Sequence, residues 1–159
     1  MTLQNSSPKE AKGSFDEASR IEDEQRLALE VYKLGSPRLN KLYEACLLKQ
    51  SFEMEERQKA LELERPKKVE DIADLKLNEA VREINPNLRP KDLLGPDRSE
   101  LSKRAIHDAT AEVMREESAE LHKMRNTQLE EREEFVKSAR DIVSAVKQDF
   151  NERTEGRGR

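Results

Sequence analysis

The chain reads as all-α, an elongated helical hairpin with a coiled-coil-like arrangement, one very long C-terminal helix and disordered termini. Three observations predict this. The first is composition: 40% of the 159 residues are charged and only 34% are apolar, against about 25% and 45–50% in an ordinary globular domain. The second is the placement of the five glycines (13, 35, 95, 156, 158) and six prolines (8, 37, 66, 86, 90, 96). They leave long stretches free of residues that cost about 1 and 3 kcal/mol inside a helix. The third is the absence of strand signals, with no alternating β-branched or aromatic runs and no Asn-Gly or Asp-Gly turns.

Taken in order, residues 1–13 read as a disordered tail. A first helix over 14–34 follows, with a weak apolar set of Ile21, Leu27, Ala28, Val31, Tyr32 and Leu34. Gly35 closes it, and Ser36-Pro37 supplies an N-cap followed by proline at the first helical position. The second helix, 37–65, has an apolar first half (Leu39, Leu42, Tyr43, Cys46, Leu47, Phe52) and a charged second half. Pro66 is expected to end it.

The third helix, 67–85, has the cleanest stripe. Val69, Ile72, Ala73, Leu77, Ala80, Val81 and Ile84 recur at steps of three and four. Residues 86–97 form a linker by their prolines, yet carry Leu88, Leu93 and Leu94, which a bare spacer does not need. Those leucines either cap the bundle or dock into a partner groove. Asp97-Arg98-Ser99-Glu100 has the spacing of a capping box, so the last helix is expected to start near 98.

That last helix, 98–153, is read as continuous because no Gly or Pro intervenes. Its apolar residues fall into two patches, from Leu101 to Met124 and then Phe135, Ala139, Ile142, Val143, Val146 and Phe150. Between them lies 126–134, almost wholly polar and expected to be wet. Residues 154–159 read as a disordered Arg-Gly tail. Glu53 with Arg57, Glu55 with Lys59, Glu100 with Arg104 and Glu133 with Lys137 have the spacing of favourable intrahelical pairs.

Chemistry-bearing motifs are scarce. His107 and His122 are the only histidines, neither follows a Glu or Asp by three positions, and no zinc spacing exists. Both read as helix-surface residues. Cys46 is the sole cysteine, which excludes a disulfide scaffold. It lies on an apolar face with no cation cluster near it in sequence to activate a thiolate. Glu116-Glu117 and Glu130–Glu134 read as solvated charge, because paired catalytic acids need a cleft that raises one pKa. No glycine-rich phosphate loop is present. The expectation is therefore no catalytic residue, no cofactor, no metal and no enzyme. No family signature is carried by these residues.

Net charge is −4 with the two signs interspersed, so no segment has the basic excess that a phosphate backbone requires. No stretch approaches the roughly 20 apolar residues of a membrane span. Without an N-terminal apolar core to act as a signal, the location expected is intracellular, in the cytoplasm.

Narrow apolar stripes on so charged a chain imply helices that lean on neighbours. The leading expectation is a non-enzymatic structural, scaffold or adaptor subunit. It would meet a protein partner, in a hetero-complex or as a homo-oligomer, through Val69, Ile72, Leu77, Val81, Ile84, Leu88, Leu93, Leu94, Phe135, Ile142, Val146 and Phe150. Two alternatives stand beside it: a ribosome- or RNA-associated helical protein, disfavoured by net acidity, and a chaperone-like or secretion-associated helical hairpin.

Overall fold

The computed structural model describes residues 8–93 and 95–157. Three α-helices occur in the order α1 (Pro8–Lys33), α2 (Pro37–Ile84) and α3 (Gly95–Arg157), with a single turn of 3-10 helix at Pro90–Asp92. Among the described residues there is no strand. The all-α expectation and the very long C-terminal helix both hold, α3 running 63 residues without interruption.

The boundaries differ from expectation in four places. Helix α1 begins at Pro8, where a first-turn proline needs no N–H partner, and it carries Gly13 inside it. Residues 1–7 lie outside the described residues. Helices 37–65 and 67–85 are one helix, α2, with Pro66 in its interior. Proline there removes the bond to the carbonyl of Glu62. Both residues lie on the exposed face, so that carbonyl is turned toward water, and buried residues on either side hold the helix together. Helix α3 starts at Gly95 with Pro96 and Asp97 in its first turn, so Asp97 acts on the helix dipole instead of capping from outside. At the other end α3 runs through 154–157, and only 158 and 159 lie beyond the description.

The α1–α2 turn follows the sequence closely. Gly35 adopts φ +69°, a left-handed conformation that costs other residues about 1 kcal/mol or more. Its N–H bonds the Tyr32 carbonyl at 3.1 Å, and the Ser36 hydroxyl accepts from the Leu39 N–H at 3.3 Å. In the α2–α3 connection the Asn85 side chain accepts from the Asn87 N–H at 3.0 Å, and Asp92 accepts from the Arg89 N–H at 2.9 Å. Local side-chain bonds thus replace the helical ladder over these residues.

The chain divides into two compact units, and α2 and α3 each give one segment to each. The first unit comprises residues up to 52 and from 124 onward; the second is 53–123. In the first unit Leu27, Val31, Tyr43 and Val136 form the buried core, with Leu47, Leu129 and Phe135 packed against it. Tyr43 and Phe135 have ring centroids 5.6 Å apart at 45°, a tilted aromatic contact. In the second unit the core is an alanine seam, Ala73 with Ala105 and Ala109, flanked by Val69, Ile72 and Leu77. Small side chains there let two backbones approach closely. Val81, Leu61 and Val113 are also buried in that unit.

Candidate interaction faces

The apolar residues singled out in the sequence divide into inward and outward sets. Val69, Ile72 and Leu77 are half-buried against the alanine seam, Val81 is fully enclosed, and Phe135 stacks on Tyr43. These five serve the chain's own cores. Leu88 and Leu93 are half-buried in the connection, and Leu94 lies outside the described residues. The outward set is Ile84, Ile142, Val146 and Phe150, at 62%, 54%, 63% and 68% exposure. Further large apolar side chains that the stripes omitted, or placed inside, are also open to solvent: Leu48, Phe52, Leu63 and Leu75.

The first unit contains a buried polar layer. Gln50 and Gln128 are buried and clasp reciprocally. Each amide nitrogen donates 2.9 Å to the backbone carbonyl of the other. The Gln50 amide also donates to Glu131 Oε2 at 3.1 Å, and its oxygen accepts from Arg132 Nε at 2.5 Å. Arg132 in turn lies 3.6 Å from Glu24 on α1. All three helices therefore meet in one satisfied network; among the described residues no buried side-chain polar atom lacks a partner. Burial pushes the Tyr43 hydroxyl above the usual tyrosine value, with the nearby charge of Arg132 opposing that shift.

Residues 126–134 were expected to be a wet middle, and Gln128 corrects that. A signal existed: Gln50 continues the spacing of Leu39, Tyr43 and Cys46, and Gln128 precedes the core residue Leu129. Polarity masked a core position because its hydrogen bonds are made across helices.

Glu117 in the second unit makes the same point. Expected to be solvated, it is 6% exposed and receives a two-pronged bond from Arg65, Nε at 3.1 Å and Nη2 at 2.8 Å. That bond raises the Arg65 pKa. Glu117 falls four residues after Val113 and four before Leu121, in line with the apolar stripe. Arg57 bonds Glu120 through Nε at 2.8 Å, and Lys76 lies 3.1 Å from Glu112. Of the intrahelical pairs expected, Glu100–Arg104 forms at 3.6 Å. Arg57 turns instead to Glu120 on α3, Glu133 to Arg26 on α1, and Lys59 to Glu56.

Two grooves lie among the described residues. One of about 250 Å³ lies in the second unit between α2 and α3, lined by Val69, Ala73, Leu77, Ala105 and Ile106 with Glu70 and Asp74 at its edge. A second, about 480 Å³, is open and lined largely by charged residues. Among the described residues no group of three or more His, Cys, Asp or Glu is placed to hold a metal. His107 is exposed beside Asp108, with Nδ1 3.7 Å from the carboxylate, and Cys46 is half-buried. Among the described residues no helix is long and apolar enough to cross a membrane.

What these features define is an all-α protein that presents exposed apolar helix faces. No protein-family model, curated protein or solved structure matches the chain.

Proposed function

We propose that this chain is a non-enzymatic helical subunit that works by holding other protein together, presenting amphipathic helix faces as its binding surfaces. One observation carries the reading. From Ser144 to Gly156 every residue of α3 is exposed, yet this segment contains Val146 and Phe150, directly downstream of the exposed Ile142. Three large apolar side chains at four-residue spacing on one helix are costly to leave in water. Contiguous exposed apolar surface of this kind marks an interaction site. Its spacing suits a helical or groove-forming protein partner. The balanced charge gives a nucleic acid nothing to hold. A single thiol, Cys46, accords with a reducing interior compartment.

The test is site-specific photocrosslinking in the native cell, with a photoreactive residue at position 145 or 149, both exposed beside that face. The reading expects a discrete, stoichiometric adduct that disappears when Ile142→Asp and Val146→Asp are introduced together. No adduct, or an adduct indifferent to those substitutions, would overturn it. A ladder of many unrelated weak adducts would replace it with the chaperone-like alternative.

A further inference from the structure

We infer that α1 is a releasable strap: it opens as one piece about the Gly35 turn while α2 and α3 stay paired, and its opening uncovers apolar surface on α3. This goes beyond the reading of residues 142–150 as a binding face and is tested without a partner.

The grip of α1 is thin. Over residues 17–33 its buried positions are Leu27 and Val31, which pack with Tyr43 of α2 and Val136 of α3. One and two turns upstream, at the same three- and four-residue spacing, stand Glu24, Asp23 and Arg20, half-buried and charged. Across to α3, Glu24 meets Arg132 at 3.6 Å, Arg26 meets Glu133 at 3.5 Å and Glu30 meets Arg140 at 2.6 Å. In each pair at least one side chain is more than a third exposed. Ion pairs so open to water hold weakly and are screened by salt. Most helical stability comes from packing an amphipathic face, so α1 loses its backbone protection when it lifts.

Helices α2 and α3 have joins of their own. Gln50 and Gln128 clasp reciprocally, each amide nitrogen on the other's carbonyl at 2.9 Å. Lifting α1 takes Glu24 from Arg132 but leaves Arg132 bonded to Gln50. In the second unit, which contains no part of α1, Ala73 packs with Ala105 and Ala109, and Arg65 grips Glu117.

The turn is placed to pivot. Gly35 is exposed, at φ +69°, with open space where a side chain would stand. Backbone bonds on one side run from Leu34 and Gly35 back to Val31 and Tyr32, and on the other from Asn40 back to Ser36. Rotation between Gly35 and Ser36 breaks neither set. Val136, Ala139, Val143, Val146 and Phe150 follow one another at steps of three and four, and Val146 and Phe150 are already exposed. Removing Leu27 and Val31 extends that apolar face upstream to Val136. The strap thus sets how much apolar surface α3 shows.

Amide hydrogen exchange of the full chain, read by mass spectrometry, tests the strap. After correction for intrinsic rates, amides of 25–33 are expected to exchange at least about 100-fold faster than those of 41–50 and 126–139. Leu27→Asp with Val31→Asp should hold the strap open, because two buried carboxylates have no partners waiting. In that variant 25–33 lose protection and circular dichroism loses about a fifth of its helical signal, the share of α1. Amides of 41–50 and 126–139 stay at least about 100-fold slower than intrinsic. Equal protection across the three helices in the parent chain would overturn the inference. So would a double variant that still protects α1, or one that loses protection in α2 and α3 along with it. None of these results decides what binds residues 142–150, so the two readings fail separately.

Discussion

Replacing Gln50 by alanine strikes the one place where all three helices are joined by polar atoms. Gln50 is 1% exposed and makes three side-chain hydrogen bonds: to the Gln128 carbonyl, to Glu131 and from Arg132. A neutral bond contributes about 1 kcal/mol net and one to a buried charge about 1.5–3. The Glu131 bond is discounted to about 0.5 kcal/mol because that carboxylate is exposed and resolvates. Losing all three therefore costs about 3 kcal/mol. Truncation beyond Cβ also leaves a void of about 50 Å³, adding about 1 kcal/mol. Gln50→Ala should thus destabilise the first unit by about 3–4 kcal/mol, lowering Tm by about 6–15 °C for a chain of this size. Gln50→Leu loses the same three bonds but refills the volume with apolar atoms, so it should cost about 1 kcal/mol less than the alanine variant. Urea unfolding followed by circular dichroism separates the two variants. A Gln50→Ala effect under about 0.5 kcal/mol, or a leucine variant worse than alanine, would refute the assignment of this layer as a join.

Two further outcomes follow from the same coordinates. Pro66→Ala should stabilise α2 by about 1–2 kcal/mol in thermal melts. It restores a donor to the Glu62 carbonyl in a helix that already continues through the site, and the gain falls short of the full proline penalty because that position is exposed. The buried Tyr43 hydroxyl, raised above 10.0, keeps its proton longer folded than unfolded. Its contribution is therefore fully present below pH 10 and is lost as pH climbs through the folded-state value. Melting temperature should fall with rising pH above about 10, with a shallower fall in Tyr43→Phe; equal slopes would contradict the burial.

Periodicity and punctuation determined a good deal. Gly35 and Ser36-Pro37 sit where a left-handed closure and an N-cap are needed, and the run free of Gly and Pro after 97 is a single helix. These are local matters, decided by backbone propensities within a turn or two. Pro66 marks where local reasoning ended. Its penalty is real, but burial of Leu61 and Val81 and the Arg65–Glu117 bond outweigh it from a distance.

The candidate faces divide in the same way. Val69, Ile72, Leu77 and Phe135 were identified as apolar and correctly placed on stripes. Only tertiary packing decided that they look inward, while Ile142, Val146 and Phe150 look out. Gln50, Gln128 and Glu117 are the mirror case, polar residues that a hydropathy pattern assigns to water. Burial depends on which helix lies opposite, and a polar atom is stable inside once its bond is made across that gap. That pairing is set by Gln128 lying 78 positions from Gln50 and Glu117 lying 52 from Arg65. No window along the chain contains both ends, so propensity could lay out the rods but only their packing could choose which sides touch.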